Sequence, residues 1–252
     1  MRKQPTETPR KAVRFVTEDG IEVPAVDTDQ MREVDRIAVE ETGPNLYQMM
    51  ENAGRNLASL AIEVMGKEWR KAKVLVLAGT GGNGGGGICA ARHLANRSAT
   101  VAVCLSEPAA LGVVPAFQRK ILESTSAKEI PCEQVTVQHP DLVLDALIGY
   151  GLQSAPKGRV EELIKWTGSN RAPVLALDIP SGVEATTGQN PGVFVNARWT
   201  LTLALPKTGL LPQHTGELYL GDIGIPEAVY RRIGVQYISP FVSHWCVRLR
   251  NR

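Results

Sequence analysis

Five short apolar runs alternate with helix-like segments through the middle of the chain, and this alternation constrains the fold more than any other feature. The runs are continuously apolar, which is typical of parallel strands that are buried on both faces. They cover residues 74–78, 100–105, 142–147, 174–177 and 199–205, and the helix-like segments between them cover residues 88–95, 115–124 and 160–166. Strands and helices that alternate in this way predict a single doubly wound α/β domain.

Two further helices are predicted in front of the first strand. Asp27 or Thr28 can cap the first helix, and Gly43-Pro44 ends it. The second helix has apolar residues at helical spacing over residues 46–64, a stripe that must be buried. The apolar face of the first helix is formed by Met31, Val34, Ile37 and Ala38.

The ends of the chain are assigned by their composition. Residues 1–20 are predicted to be a disordered leader, because they are basic, contain prolines and lack the apolar stretch of a secretory signal. Residues 21–234 are predicted to form the single domain. Residues 235–252 form a C-terminal tail, whose apolar side chains could pack on the domain or cover a partner protomer.

Charge and cysteine spacing argue against several classes of protein. Lys+Arg 28 against Asp+Glu 26 leaves a formal net charge of +2, so no basic excess indicates a nucleic-acid partner. No apolar run is long enough to predict a membrane span. The four cysteines are widely spaced without a CxxC pair, which argues against a disulfide framework or a zinc site and predicts a cytoplasmic location.

A glycine-rich segment follows the first predicted strand. Seven of the nine residues from Gly79 to Gly87 are glycine, and a helix comes next. Glycines let the backbone approach a ligand and a helix N-terminus favours an anion, so the segment predicts a phosphate or pyrophosphate site. A merely flexible loop is the alternative. The dinucleotide fingerprint G-x-G-x-x-G fits weakly, because no acidic residue ends the next strand in the usual ribose-binding place.

Charged residues stand at the ends of three other predicted strands. Asp145 and Asp178 each follow an apolar run, where a carboxylate is costly to bury unless it binds something or caps a turn. Lys207 follows the last run and is either an anion ligand or a solvated loop residue. The carboxyl ends of parallel strands meet at one edge of the sheet, where such sheets bind ligands. No histidine stands at these ends, which disfavours a Ser-His-Asp triad.

Six stretches of the sequence carry a resemblance to a known family. They are Met50-Glu51-Asn52-Ala53-Gly54-Arg55, the glycine-rich segment with Ala90-Ala91-Arg92-His93-Leu94, residues 145–151, Asp178-Ile179-Pro180-Ser181-Gly182, Pro206-Lys207-Thr208-Gly209 and Gly221-Asp222-Ile223-Gly224-Ile225-Pro226. From about residue 26 to 226 the chain resembles the NAD(P)H-hydrate epimerases, the YjeF N-terminal domain family. The resemblance implies a Rossmann-like three-layer αβα sandwich, usually dimeric, with a mostly parallel sheet and two extra N-terminal helices.

The resemblance also implies an activity and partners. Members of this family interconvert the R and S forms of hydrated NADH or NADPH (NADHX or NADPHX), a damaged cofactor with a hydroxyl at C6 of the nicotinamide ring. A separate ADP- or ATP-dependent dehydratase then acts on the S form. In such a reaction we expect Asp178 to give and retake the proton, and Lys207 to hold a phosphate or to tune Asp178.

Ligand residues are implied position by position. Asn83, Asp145 and Ser181 match the potassium ligands of the family, and oxygen ligands of this kind suit a hard cation. The residues that match its substrate-binding positions are Gly82, Asn83, Gly84, Gly85, Gly86, Gly149, Tyr150, Gly151, Leu152, Gln153, Ser154, Ala155 and Asp178.

The glycine-rich segment departs from the family pattern at two positions. The family segment normally contains Asn-Asn-Gly-Gly-Asp-Gly, whereas here Gly82 replaces the first asparagine and Gly86 replaces the aspartate. Two alternatives therefore stand beside the epimerase. A non-catalytic nucleotide-binding protein or dimeric scaffold of the same fold is favoured by Gly86, and a nicotinamide dehydrogenase is disfavoured by the missing ribose-binding acid. The intact Asp178 favours the epimerase.

Overall fold

The computed structural model describes residues 15–252, in which ten strands form one sheet. The strands are β1 Phe15–Thr17, β2 Glu22–Val23, β3 Lys73–Ala78, β4 Thr100–Leu105, β5 Lys128–Glu129, β6 Leu142–Ala146, β7 Val174–Leu177, β8 Trp199–Leu203, β9 Glu217–Gly221 and β10 Cys246–Asn251. Residues 1–14 of the expected leader lie outside the described residues. Residues 15–17, also assigned to that leader, form β1 instead, because Phe15 is buried in the core.

The sheet is parallel in its centre and antiparallel at one edge. Its order is β2-β1-β10-β9-β8-β7-β6-β3-β4-β5, in which β3 to β9 are parallel and β10, β1 and β2 pair antiparallel with their neighbours. The chain continues from β3 to β4 on one side and returns to β6 on the other side. The direction of the strand order therefore switches beside β3, where open α/β sheets place their ligand sites.

Helices cover both faces of this sheet. They are α1 Thr28–Ile37, α2 Leu46–Met65, α3 Gly82–Ala95, α4 Val113–Leu122, α5 Gly158–Ser169, α6 Pro212–Thr215 and α7 Glu227–Arg232. The two predicted N-terminal helices are α1 and α2. Each begins with a capping box, formed by Asp27 with Gln30 and by Asn45 with Gln48.

The core consists of three buried clusters. α2, α3 and α4 pack on one face of the sheet around Val76 and Leu144, and α5 packs on the opposite face around Leu77 and Val143. A third cluster joins α1 and α7 to β9 and β10. The predicted α/β class with a mostly parallel sheet between helical layers is confirmed.

Three boundaries differ from the sequence-based expectation. α3 begins at Gly82, inside the glycine-rich segment, because close packing overrides the low helix propensity of glycine. β8 ends at Leu203, since Ala204 takes a left-handed φ of 61°. The C-terminal tail belongs to the sheet, because β10 lies between β9 and β1.

Within the described part of the chain, none of the helices has the length and apolar character needed to cross a membrane. The four cysteines are free thiols. Cys104 and Cys132 are distant in sequence, yet their Sγ atoms lie 3.1 Å apart.

Candidate functional site

A cavity of about 560 Å³ opens at the carboxyl ends of the central parallel strands. Residues that follow β3, β6, β7 and β8 line it from the sheet side, and residues of α1 and α2 line it from the other side. The cavity therefore lies at the switch point of the sheet, where the charged strand ends were expected to meet.

The glycine-rich segment lets α3 start directly on the end of β3. A Cβ at Gly84 would lie 1.9 Å from the carbonyl oxygen of Gly79, so only glycine allows this approach. Gly81, Gly82 and Asn83 line the cavity where α3 begins. The first turn of a helix has N–H groups without helical partners, so this end of the cavity favours an anion.

Gly86, one of the two departures from the family pattern, lies behind the cavity wall. A Cβ there would lie 2.7 Å from Leu177 Cδ2 and 3.8 Å from Ala53 Cβ, and both of these residues line the cavity. The space that an aspartate would need at this position is thus taken by Leu177.

Asp145, at the end of β6, is fully buried and accepts three hydrogen bonds. The Ser181 hydroxyl donates to Oδ1 at 2.7 Å, the Ser181 N–H donates to Oδ2 at 2.8 Å, and the Leu147 N–H donates to Oδ1 at 3.2 Å. Burial raises the pKa of Asp145 to about 6, although the hydrogen bonds from Ser181 and Leu147 act in the opposite direction. Among the residues that the structure describes, no cationic side chain pairs with this carboxyl.

Asn83 lies beside the segment that follows β6, the same segment whose Ile148 contacts Ser181. The Ile148 N–H donates to Ser181 Oγ at 2.8 Å, and a Cβ at Gly149 would lie 3.4 Å from Asn83 Cγ. The buried Nδ2 of Asn83 has no hydrogen-bond partner in residues 15–252. The Asn83 amide oxygen, the Ser181 hydroxyl and the buried Asp145 carboxyl, which has no counter-charge among the described residues, are oxygen donors of the kind that fit a hard cation.

Asp178, at the end of β7, forms a buried ion pair with Lys207. Lys207 Nζ binds Asp178 Oδ1, and both side chains are almost fully buried. Lys207 Nζ also donates to the Leu203 carbonyl oxygen at 3.0 Å, and the Tyr150 N–H donates to Asp178 Oδ2 at 3.1 Å. The solvated-loop interpretation of Lys207 is wrong, because its ammonium group is enclosed by these partners. Its contact with Asp178 favours a tuning role over phosphate binding.

The backbone of Asp178 is strained. Its φ of 65° lies in the left-handed region, which costs a non-glycine residue about 1–3 kcal/mol. The Asp178 N–H donates to the Leu201 carbonyl oxygen of β8 at 2.7 Å, which fixes this conformation. Strain of this kind concentrates at functional sites, and here it accompanies a carboxylate that lines the cavity.

Sequence reasoning missed Asp35, which lines the same cavity from α1. Its carboxyl accepts a hydrogen bond from the Tyr150 hydroxyl, and burial raises its pKa. A signal was present in the sequence, because Met31, Asp35 and Ala38 recur at the spacing of one helix face. The carboxyl therefore interrupts the apolar face of α1.

The predicted substrate-binding residues divide into two groups. Those that line the cavity are Gly82, Asn83, Gly149, Tyr150, Gly151, Gln153 and Asp178, and Lys207 joins them. Those that do not line it are Gly84, Gly85, Gly86, Leu152, Ser154 and Ala155. Asp145 and Ser181 are fully buried and are joined to the cavity through Ile148. Roles in substrate binding remain predictions for both groups.

Comparison with known proteins matches this arrangement to one family. The model described as YjeF-related protein N-terminus matches residues 46–209. A protein of Dehalogenimonas lykanthroporepellens named NAD(P)H-hydrate epimerase is 51% identical, over 94% of this chain and 98% of its own length. A protein of the same name from Truepera radiovictrix is 36% identical, over 85% of this chain and 94% of its own length.

A longer relative and a solved structure extend the comparison. A Salinibacter ruber protein named bifunctional NAD(P)H-hydrate repair enzyme Nnr is 34% identical over 83% of this chain, which spans 42% of that protein. The crystal structure of yeast ynu0 superposes with a TM-score of 0.78 at 19% identity, covering 90% of this chain and 100% of the yeast chain. The yeast protein therefore shares the fold.

Proposed function

The chain belongs to the family described as YjeF-related protein N-terminus, and from this premise we propose that it is an NAD(P)H-hydrate epimerase. The observation that carries the proposal is the buried Asp178–Lys207 pair on the wall of the switch-point cavity. A cavity of about 560 Å³ falls in the range of small-molecule sites. The substrate class is hydrated NADH or NADPH, that is, NADHX or NADPHX.

The proposed reaction inverts the configuration at C6 of the nicotinamide ring. The lone pair of the ring nitrogen expels the C6 hydroxyl once an acid protonates it, which leaves a planar cation, and water then adds to the opposite face. Asp178 transfers one of these protons, and its carboxyl is held at the cavity by the Tyr150 N–H and by Lys207. The N-terminus of α3 favours the pyrophosphate of the same substrate.

We further propose that Asn83, Asp145 and Ser181 hold a potassium ion. The support is the fully buried carboxyl of Asp145, for which the described residues supply no counter-charge, together with the Ser181 hydroxyl that is hydrogen-bonded to it. When bound, the ion would neutralise Asp145. Ser181 accepts a hydrogen bond from the Ile148 N–H, so this ligand also helps to position the nearby Tyr150.

Three finer statements belong to this proposal. The protein acts in the cytoplasm, which its four free thiols favour. It is a homodimer, as its resemblance to the family implies. A separate ADP- or ATP-dependent dehydratase acts after it, an order supported by longer relatives that are named bifunctional repair enzymes.

A coupled assay tests the proposed function. Purified protein in potassium buffer receives NADHX enriched in the R form and an S-specific dehydratase, and the appearance of NADH is followed. We expect the protein to accelerate conversion of the R form, and Asp178→Asn to slow it by about 10²- to 10⁴-fold. Asp19→Asn is the matched control, because it makes the same change on an exposed turn.

A rate equal to the spontaneous background, from wild-type protein shown to be folded, would contradict the epimerase. Calorimetric titration of the same sample with NADH and NADPH would then distinguish a non-catalytic nucleotide-binding protein from one that binds neither.

A further inference from the structure

The cavity holds two carboxyl groups at opposite ends of one tyrosine. The Tyr150 N–H donates to Asp178 Oδ2 at 3.1 Å, and the Tyr150 hydroxyl donates to Asp35 Oδ2. The backbone N–H and the hydroxyl of Tyr150 therefore each bind a different carboxyl. Asp178 comes from the end of β7 and Asp35 from α1, so they approach the cavity from the sheet side and from the helix side.

Inversion at a planar carbon places a requirement on such a site. The hydroxyl leaves from one face of the ring and water arrives at the other, so proton transfer is needed on both faces. Glycosidases that invert their substrates solve the same problem with two carboxyls on opposite faces, one acting as acid and one as base. A ring that lies in the cavity with Asp178 on its sheet side and Asp35 on its helix side would present one face to each of them.

We propose that Asp35 is a second proton-transfer residue, which serves the face of the nicotinamide ring opposite to Asp178. The inference rests on the proposed epimerase function. In the direction that begins on the Asp35 side, Asp35 protonates the hydroxyl, the C6–O bond breaks and the nitrogen lone pair forms the C=N bond. Water then attacks C6 from the other face, and its proton passes to the carboxylate of Asp178. The reverse reaction returns this proton, so atoms and charge balance.

The environments of the two carboxyls support this division of roles. The Asp178 carboxyl is bound by the Lys207 ammonium group and faces the cavity, which suits it to the role of base. Burial raises the pKa of Asp35, which favours its protonated form as an acid, although the hydrogen bond from Tyr150 and the charge of Lys207 act in the opposite direction. Lys207 Nζ also lies 5.7 Å from the centre of the Tyr150 ring, so one cation stands near all three groups.

Exchange of the C6 oxygen with water distinguishes a proton-transfer role of Asp35 from a merely structural one. Each purified epimer is incubated in H₂¹⁸O, and both inversion and ¹⁸O incorporation at C6 are measured by chromatography and mass spectrometry. With Asp35→Asn, we expect inversion to fall at least about 100-fold from both epimers. Incorporation of ¹⁸O should continue from the epimer whose hydroxyl faces Asp178, because departure and return on that face need only Asp178. Asp178→Asn should show the mirror pattern.

Three results keep the proposal falsifiable. If Asp35→Asn inverts at the wild-type rate, or loses exchange equally from both epimers, Asp35 serves only to join α1 to the loop and the proposal is wrong. If wild-type protein inverts neither epimer, the proposed function fails instead. Tyr150→Phe removes the hydrogen bond to Asp35 but keeps the ring. This variant is a second test, which can be used if Asp35→Asn does not fold. We expect Tyr150→Phe to reduce inversion more than it reduces ¹⁸O exchange on the Asp178 face. Equal losses of inversion and exchange would overturn the proposal.

Discussion

Asp145 and Asp178 end neighbouring strands of the parallel sheet, yet the surroundings of the two carboxyls balance their charge differently. Asp178 has a buried lysine, Lys207, as its partner. Asp145 has only hydroxyl and N–H donors from Ser181 and the backbone among the described residues, and its pKa is raised to about 6. A buried carboxylate is thus either paired by a cationic side chain of the fold or carries a charge that varies with pH and that a bound cation could neutralise.

The largest effect on stability is expected when the ammonium group of Lys207 is removed. Lys207→Met leaves Asp178 buried without a counter-charge, which makes the end of β7 resemble the end of β6. Breaking one half of a buried ion pair costs about 3–5 kcal/mol in the free energy of unfolding. Urea unfolding at neutral pH measures this loss.

The double variant Asp178→Asn with Lys207→Met is the control for this prediction. It removes both charges, so it should recover a substantial part of the stability that Lys207→Met loses. Equal losses in the single and double variants would show that packing of the lysine stem, rather than the charge of Asp178, accounts for the effect.

The second effect concerns the carboxyl that lacks a lysine. The pKa of Asp145 is about 6 in the folded chain and lower in the unfolded chain, so the stability that its protonation provides is complete below about pH 4 and is lost as pH rises through 6. The loss amounts to about 3 kcal/mol or less at neutral pH. We expect potassium chloride to raise Tm more at pH 7.5 than at pH 5, relative to tetramethylammonium chloride at equal concentration.

Asp145→Asn checks that this carboxyl is responsible. The variant should lose both the pH dependence between 4 and 7 and the response to potassium, while the response of Lys207→Met should resemble that of wild type. A potassium effect that is the same at both pH values would contradict the assignment of Asp145 as its ligand.

A smaller effect is expected from the hydroxyl that supports Asp145. Ser181→Ala removes a hydrogen bond at 2.7 Å to Asp145 and leaves the Ile148 N–H without its acceptor. We expect a loss of about 1–3 kcal/mol. The hydrogen bond from the Ser181 hydroxyl favours the carboxylate form of Asp145, so its loss should also raise the pKa of Asp145. The pH-dependent loss of stability should then move to higher pH, which thermal melts at a series of pH values would show.

The smallest effect is expected from a substitution at Gly86, which should disturb the end of β7 and leave the end of β6 unchanged. Gly86→Ala places a Cβ 2.7 Å from Leu177 Cδ2, which forces Leu177, the residue before Asp178, to shift. Overpacking of about 1–3 kcal/mol is offset in part by about 1 kcal/mol of gained helix propensity, so a net loss of stability of about 2 kcal/mol or less is expected. Epimerisation should slow while the potassium response stays that of wild type. An altered potassium response would show that the two strand ends are coupled.

The sequence predicted the layers of the fold better than it predicted the details of the site. Continuous apolar runs identified the central parallel strands, and their ends correctly located the cavity. Tuning of Asp178 was one of two roles expected for Lys207, and the sequence could not decide between them, because the choice depends on how two strand ends meet in space. Asp35 was missed because α1 was read only for its apolar face. The start of α3 was missed because the glycines of Gly82–Ala95 were judged by propensity, whereas close contact with Gly79 and Met50 decides their conformation.

The place of β10 between β9 and β1 sets the order in which the protein can be completed during synthesis. β1 leaves the ribosome well before its long neighbour β10, because more than 200 residues separate the two strands along the chain. A chain interrupted before Cys246 would keep its parallel centre while β9 remained an uncovered edge and β1 had only the short β2 beside it. An uncovered strand edge can pair with other chains, so we expect incomplete chains that lack β10 to aggregate or to be degraded more readily than complete ones.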